Sequence, residues 1–423
     1  MNYTLPRGTR DILPEETKLW QHIEQISKDI FQQFNYKEIR TPIFESSALF
    51  NRVIGEASDI IQKEMYTFTD KGNRQLALRP EGTAPIARAY LTNHLNRQSG
   101  ETKLFYQGPM FRYERPQAGR YRQFHQVGVE NIGSSHPYSD AEVITMSYYL
   151  FKALGLKNIV IYINSVGSES CRPVIEARIK QFLSSNIDRL SDDLKKKYEK
   201  IPLKILESKD DDLQTFLSGL PDLREALSRE SKDHFNLVLE YLDCLGIPFE
   251  YKPTLVRGLD YYTETVFEVV SDELGAQNSI CGGGRYNNLI ADLGGKKTPA
   301  VGFAFGLERV AMLLESQQMS IPDRKLKLFV APLGSEHQMS CIKISNQLRK
   351  SGHAVMMDYT KTDLNPQLKR ASKCNVHYTL ILGDNESESS SIMIKNMSTG
   401  QQELISLNEL ESYFSIKSKE LLV

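Results

Sequence analysis

The run Leu104-Phe105-Tyr106-Gln107-Gly108-Pro109-Met110-Phe111-Arg112-Tyr113-Glu114 and the run Tyr121-Arg122-Gln123-Phe124-His125-Gln126-Val127-Gly128-Val129-Glu130-Asn131-Ile132 flank a polar, basic loop at residues 115–120. Two strand-like runs joined by a short polar loop predict an antiparallel pair. Side chains alternate across a strand, so Phe124, Gln126, Gly128 and Glu130 share one face, while Val127 and Val129 share the other. The valine face belongs to a core. The Gln and Glu face is either half-solvated, the ordinary case, or the floor of a polar pocket. His125 points away from Gln126 and Glu130, which predicts a structural histidine rather than an acid or base.

Upstream of this pair, Leu19, Ile23, Ile26, Ile30 and Phe34 recur at helical spacing behind Pro14, Glu15 and Glu16, predicting an amphipathic helix with a proline and acids in its first turn. A strand at 36–42 should follow, then a hairpin at 65–78 around Asp70-Lys71-Gly72-Asn73, and a helix from 83 to about 95 capped by Thr83. Downstream, a helix at 139–154 and a strand at 159–163 precede a charged, helical stretch at about 168–250, which reads as an insertion. Strand patterns return at 255–270, followed by the triplet Gly282-Gly283-Gly284, in itself a tight-turn signal, and by Gly302-Phe303-Ala304-Phe305-Gly306 running into a helix. Pro322-Asp323 makes a linker between a domain at 1–323 and one at 324–423. In the second, strands at 326–330, 354–357 and 376–382 alternate with helices, predicting a small α/β domain with a mainly parallel sheet, and 386–391 reads as a loop.

The chain has 423 residues, 40% of them hydrophobic, and a net charge of −1, the composition of a globular enzyme and not of a disordered or polybasic binder. The charge is uneven: from 324 to 373 basic residues exceed acidic ones by about seven. The five cysteines include no CxxC pair and the eight histidines no metal-ligand spacing, so reduced thiols and no structural zinc are expected. No run of about 18 apolar residues occurs, and a cytoplasmic protein that does not span a membrane is the expectation.

Arg112, Arg257 and Arg309 each sit in apolar or glycine-rich sequence. An arginine so placed needs an anion, because burying its charge unpaired costs several kcal/mol. The three are either separate Arg–carboxylate pairs or a fork of guanidiniums that holds a polyphosphate. There is no P-loop and no dinucleotide fingerprint, so a nucleotide would bind by neither route.

Arg112 with the residues before it, Glu114-Arg115-Pro116-Gln117, and Arg120-Tyr121-Arg122-Gln123-Phe124-His125-Gln126 closely resemble motif 2 of the class II aminoacyl-tRNA synthetases. The string from Gly302 to Arg309 resembles motif 3, and the helix ending near Phe34 with the strand after it resembles motif 1. Leu255-Val256-Arg257-Gly258-Leu259-Asp260-Tyr261-Tyr262, Gly283-Gly284-Arg285-Tyr286, Pro6-Arg7-Gly8-Thr9-Arg10-Asp11 and Leu78-Arg79-Pro80-Glu81-Gly82-Thr83 are similar to strings of the histidyl-tRNA synthetases within that class.

The resemblance implies an α/β protein: an α+β catalytic domain built on an antiparallel sheet flanked by helices, a helical insertion, and a C-terminal α/β anticodon-binding domain. It implies activation of L-histidine with ATP and Mg2+ to histidyl-adenylate and pyrophosphate, then transfer to the 3′-terminal adenosine of tRNA-His, in a homodimer. Arg112 would hold the α-phosphate, Arg309 the γ-phosphate, and Arg257 the other side of the α-phosphate, with adenine between Phe124 and Arg309. Glu81 and Thr83 would take the α-ammonium, Gln126 would help place the amino acid, and Glu130 and Tyr262, with Tyr261 beside them, would take the imidazole. Arg115, Gln117 and Arg120 would meet the tRNA acceptor end. Metal ligands are not implied by any string. The family commonly has Asp where this chain has Asn287, and a hydrogen-bonding role there should survive the change. Two alternatives compete: a non-catalytic regulatory subunit of histidine biosynthesis, and a class II synthetase for glycine, threonine or proline.

Overall fold

The computed structural model describes residues 3–421 apart from 56–57, 59, 98–99, 185–201, 208–210, 218, 272, 274–277, 320 and 322–325. The expected linker at Pro322-Asp323 lies outside the described residues. The chain divides into two compact units, Met1–Met319 and Ser320–Val423.

The strands of the first unit are β1 (Lys37–Glu38), β2 (Phe44–Ser46), β3 (Thr67–Thr69), β4 (Gln75–Leu78), β5 (Thr102–Phe111), β6 (Gln123–Ile132), β7 (Ile159–Ser165), β8 (Glu250–Tyr251), β9 (Thr263–Ser271), β10 (Ser279–Arg285) and β11 (Ala300–Gly306). Eight form one sheet in the order β1-β5-β6-β11-β10-β9-β7-β8. The β5–β6 pair is antiparallel, in a register that sets Tyr106 opposite Gly128 and Gly108 opposite Gln126. Strands β6, β11, β10 and β9 continue antiparallel, and only the two short edge strands pair parallel. β2, β4 and β3 form a separate small sheet that contains the expected hairpin. The strand expected at 36–42 shrinks to the two residues of β1, which pair with Leu104 and Phe105.

The back of the large sheet carries Val127, Val129, Phe303, Phe305 and Phe267, all buried. Helices Pro14–Gln33, Pro137–Ala153 and Leu307–Ser316 cover this sheet. Phe31 meets Phe105 and Phe303, and Phe151 meets Phe305, with ring centroids 5.4–6.0 Å apart. The first helix has the predicted proline and acids in its opening turn. The described residues of 168–250 pack in two places. Cys171, Ile175, Ile179, Leu206, Leu217 and Leu223 build a core of their own, while helix Arg229–Cys244 packs against Pro137–Ala153.

Gly282-Gly283-Gly284 corrects the turn reading, because the triplet is the middle of strand β10. The reason is steric. A Cβ on Gly283 would fall 2.3 Å from the backbone oxygen of Gly302 and 2.7 Å from both Phe267 and Phe303. A Cβ on Gly282 would overlap the Arg257 guanidinium, and one on Gly284 would lie 2.9 Å from the Tyr262 ring. Real Cβ atoms do not come so close to their neighbours, so a Cβ at any of the three would displace what lies against it, at Gly282 the Arg257 guanidinium.

The second unit holds β12 (Lys327–Pro332), β13 (Ala354–Met357), β14 (Tyr378–Leu382), β15 (Ser391–Asn396) and β16 (Gln402–Ser406) in the order β13-β12-β14-β15-β16. The first three are parallel, but β14–β15 and β15–β16 are antiparallel, so the sheet is mixed rather than mainly parallel. The hairpin turns on Asn396, whose side-chain oxygen accepts from the backbone N–H groups of Ser398 and Thr399 at 2.9 and 3.1 Å. The expected loop at 386–391 is in part the short helix Asp384–Glu388, and it leads into β15. All five cysteines are free.

Gly283→Ala should destabilise the protein by about 1–3 kcal/mol through overpacking. A thermal unfolding midpoint equal to that of the unaltered chain would show that the Phe267–Phe303 contact yields.

Candidate active site

The uncovered face of the sheet is stripped of side chains at its centre. Register places Tyr106, Gly128, Ala304, Gly282 and Glu268 side by side across β5, β6, β11, β10 and β9, and the next row carries Glu130, Gly302 and Gly284. A Cβ on Gly128 would lie 2.6 Å from the Tyr106 ring, and one on Gly302 would overlap the Glu130 carboxylate. The result is a trough with tyrosine and carboxylate at one end and arginines at the other.

The small end is a cavity of about 180 Å3 lined by Glu81, Thr83, Gln126, Glu130, Tyr261 and Tyr262, among others. The six residues expected around an amino acid therefore meet in one place. Thr83 does not cap its helix as expected. The Glu81 carboxylate does, accepting from the backbone N–H groups of Thr83 and Ala84, both at 2.7 Å, at the start of helix Thr83–Thr92. This frees the Thr83 hydroxyl to donate to Glu130 Oε1 at 2.7 Å. The Tyr286 hydroxyl donates to Glu130 Oε2, a contact that sequence reading missed although the string containing Tyr286 stood out.

Burial pushes the Glu130 carboxyl up to about 8, against the pull of the Tyr286 and Thr83 hydroxyls. Burial also raises Glu81, with the two backbone N–H donors and Arg112 opposing it. Tyr262 is pushed up to about 12 by burial, with Arg257 opposing. At neutral pH the cavity holds a tyrosine that keeps its proton and carboxyl groups that gain from a cationic or N–H donor ligand.

The large end is a cleft of about 790 Å3 lined by Arg112, Phe124, Arg257, Arg309, Glu114 and Glu268, among others. Arg112 donates from Nε to the Pro80 carbonyl at 2.8 Å, and its guanidinium lies 5.4 Å from the centroid of the Phe124 ring. Arg309 donates to the Ser279 carbonyl at 2.7 Å. Burial lowers the Arg309 pKa, and Arg120 and Arg112 lower it further. Burial also works against the Arg257 charge, but Glu268 at 2.9 Å reverses the shift and raises it. The three arginines are thus one cluster, not three separate ion pairs. Both cavities are lined by Arg112, Gln126 and Arg257.

The 115–120 loop folds on itself, with backbone hydrogen bonds between Gln117 and Arg120 of 3.2 and 2.9 Å. Gly119, at φ +71°, sits near Arg309, where only glycine is at ease. Arg115 and Gln117 are exposed. Arg120 instead turns into the cleft and pairs with Glu114 at 3.2 Å. His125 stays out of both cavities: its Nδ1 lies 3.2 Å from Glu308, and its ring meets Trp20 edge-on at 4.8 Å. Asn287 lends its side-chain oxygen to Arg285 at 3.5 Å, and its backbone N–H donates to Thr263. Arg285 is buried and held chiefly by Asp140. No sequence signal joined these two, which lie 145 residues apart.

No spacing rule could find the one group of possible metal ligands among the described residues, because two of its members precede helix Gln338–Lys350 and the third opens helix Asp384–Glu388. Glu336, His337 and Asp384 have donor atoms within 4.8 Å of one another. His337 and Asp384 form a hydrogen-bonded pair at 2.9 Å. Among the described residues no helix is long and apolar enough to cross a membrane.

A family model described as histidyl-tRNA synthetase matches residues 8–310, and one described as an anticodon binding domain matches residues 327–417. The histidine–tRNA ligase of Halothermothrix orenii is 46% identical over 411 residues, covering 97% of this chain and 98% of that protein. That of Desulforamulus reducens is 44% identical, covering 98% and 99%. The structure of apo histidyl-tRNA synthetase from S. aureus superposes with a TM-score of 0.81 at 39% identity, over 98% of this chain and 100% of that one.

Because the Glu130 carboxyl stands near 8 in the folded protein against an ordinary 4.5, the native state holds this proton more tightly than the unfolded chain does. The stability this group contributes is therefore full below about 4.5 and is lost as pH rises through about 8. Glu130→Gln removes that dependence. Its unfolding midpoint should gain on that of the unaltered chain as pH rises from 5 to about 8.5, and a gap that stays constant with pH would refute the assignment.

Proposed function

This chain belongs to the histidyl-tRNA synthetase family, class II enzymes that join histidine to its tRNA at the expense of ATP, and from that premise we propose how its residues divide the work. Glu81 and Thr83 take the α-ammonium of histidine. The Thr83 hydroxyl lies against Glu130 and its lone pairs suit a cation. Gln126 places the amino acid, and Glu130 and Tyr262 take the two imidazole nitrogens, with Tyr261 alongside. An amino acid without those nitrogens would leave the buried polar groups unpaired, a discrimination of roughly 10⁴ to 10⁵.

In the cleft, adenine stacks between Phe124 and the Arg309 guanidinium. Arg112 holds the α-phosphate, Arg257 its opposite side, and Arg309 the γ-phosphate. The histidine carboxylate is already ionised and needs no general base. It attacks the α-phosphorus, the bond to the β-phosphate oxygen breaks, and pyrophosphate leaves with its electron pair. Arginines fixed around the phosphoryl oxygens stabilise the charge that spreads there. In the second step the 3′-hydroxyl of the terminal adenosine of tRNA attacks the carbonyl carbon of the adenylate and AMP departs. Arg115 and Gln117 at the loop tip meet the acceptor end. Arg120, paired with Glu114, serves the cleft and reaches RNA only if that pair opens.

ATP enters as its magnesium complex. Mg2+ would keep most of its water and be held by one or two carboxylates together with substrate phosphates, where it would neutralise phosphate charge. Glu114 is a cleft carboxylate that fits such a role. A homodimer is supported by the small sheet, where Ile43, Phe44 and Phe68 are exposed and the two phenylalanine rings stand 6.4 Å apart. We place the enzyme in the cytoplasm, where translation consumes its product.

The observation that carries this reading is the meeting of the two cavities at Arg112, Gln126 and Arg257, an arrangement in which a carboxylate bound in one would face a phosphate bound in the other. The test is exchange of pyrophosphate into ATP across a panel of amino acids. Histidine alone should support it. Exchange with glycine, threonine or proline, or none with histidine, would overturn the reading and favour the alternatives. Arg257→Ala should slow single-turnover adenylate formation by about 10²- to 10³-fold, the loss expected for a group aimed at transition-state charge, with a smaller change in ATP affinity.

A further inference from the structure

Arg257 reaches the sheet from the loop before β9 and lies directly over Gly282, where a Cβ would meet its Nη2, Cζ and Nη1 together. Glu268 is the cross-strand partner of Gly282, one strand over on β9. Its Oε1 accepts from Arg257 Nη1 at 2.9 Å. Arg257 Nε is buried without a hydrogen-bond partner, so among the hydrogen bonds of this guanidinium the one to Glu268 is what restrains its rotation over the flat glycine surface. Glu268 is also one of two carboxylates, with Glu114, that oppose the mutual repulsion of Arg309, Arg120 and Arg112.

We propose that Glu268 is a positioning residue for adenylate formation: from the strand beside Gly282 it holds the Arg257 guanidinium at the place from which it acts on the α-phosphate. The inference rests on the role given to Arg257 above. Gly282 and Glu268 then form one device. The glycine supplies the space for the guanidinium, and the carboxylate supplies its address within that space. An arginine that kept its charge but swung over the glycine would still attract phosphate, yet would miss the geometry in which the barrier is lowered. Misplacement by about 1 Å is enough to cost about 10²-fold in rate.

The test compares Glu268→Gln, Gly282→Ala, Arg257→Ala and the double variant Arg257→Ala with Glu268→Gln, using single-turnover adenylate formation with histidine and ATP at several Mg2+ concentrations. Glu268→Gln keeps an oxygen acceptor but loses the charge, and should slow the step by about 10²-fold while KM for histidine changes by less than about threefold. Gly282→Ala, which leaves Glu268 in place, should reproduce that loss. In the Arg257→Ala background, Glu268→Gln should cost nothing further, because the two act as one unit. A full additional loss in that background would overturn the inference, as would recovery of Glu268→Gln at high Mg2+, which would make Glu268 a metal ligand. If Glu268→Gln fails to fold, Gly282→Ala decides: a rate equal to that of the unaltered enzyme overturns the proposal. Unchanged adenylation in Arg257→Ala alone would instead overturn the functional reading, so the two failures are distinguishable.

Discussion

Everything at this site depends on side chains lying flat against a β-sheet that has no Cβ atoms to hold them off. Four glycines each seat one functional group: Gly128 seats Tyr106, Gly302 seats Glu130, Gly282 seats Arg257, and Gly284 seats Tyr262. They come from three adjacent strands and meet through register, which aligns Gly128, Ala304 and Gly282 in one row and Gly302 with Gly284 in the next. Glycine in a strand is normally a cost of up to about 1 kcal/mol relative to alanine. Here the cost is offset by the back of the sheet, where the buried phenylalanines and valines pack under helices.

The flat floor lets opposite electrostatic problems sit side by side. In the small cavity, carboxyl groups are deprived of water and their proton affinity rises, Glu130 to about 8, so a ligand bearing N–H groups supplies what burial withholds. In the cleft, arginines crowd one another, and Arg309 is depressed by its own burial and by Arg120 and Arg112. An anionic phosphate bound there would relieve that crowding. The two unsatisfied environments share a wall at Arg112, Gln126 and Arg257, so under the proposed assignment histidine and ATP would each relieve one of them with their reacting groups brought together.

Much of this was legible in the strand pair at 104–132. Period-two alternation put Gln126 and Glu130 on one side and the valines on the other, and it turned His125 away, as the structure has it. Alternation could not choose between a solvated face and a pocket floor. That required the opposing residues Gly302 and Tyr286, each more than 150 positions away. The glycine triplet misled because glycine most often signals a turn, and nothing local reveals an arginine pressed against it. Thr83 misled in a similar way: a threonine at a helix start is normally a cap, but here the Glu81 carboxylate took the backbone donors and left the hydroxyl for Glu130. In the second unit, βα alternation was read correctly as far as β14. The antiparallel hairpin after it was lost among polar residues.

By itself the sequence determined the chemistry available: which residues could carry charge, which faces they would occupy on each strand, and, through motif order, the class of enzyme. Local patterns suffice for this because strand and helix periodicity are properties of a few consecutive residues. Only the tertiary structure decided which charges meet. Arg257 finds Glu268, Arg120 turns back to Glu114, Glu130 receives two hydroxyls, and Arg285 is neutralised by Asp140. Glu130 is met from the end of β10 and from a helix, and Arg285 is met from helix Pro137–Ala153, so these pairings depend on packing between elements that no single segment encodes, and only Arg120 finds its partner within its own loop.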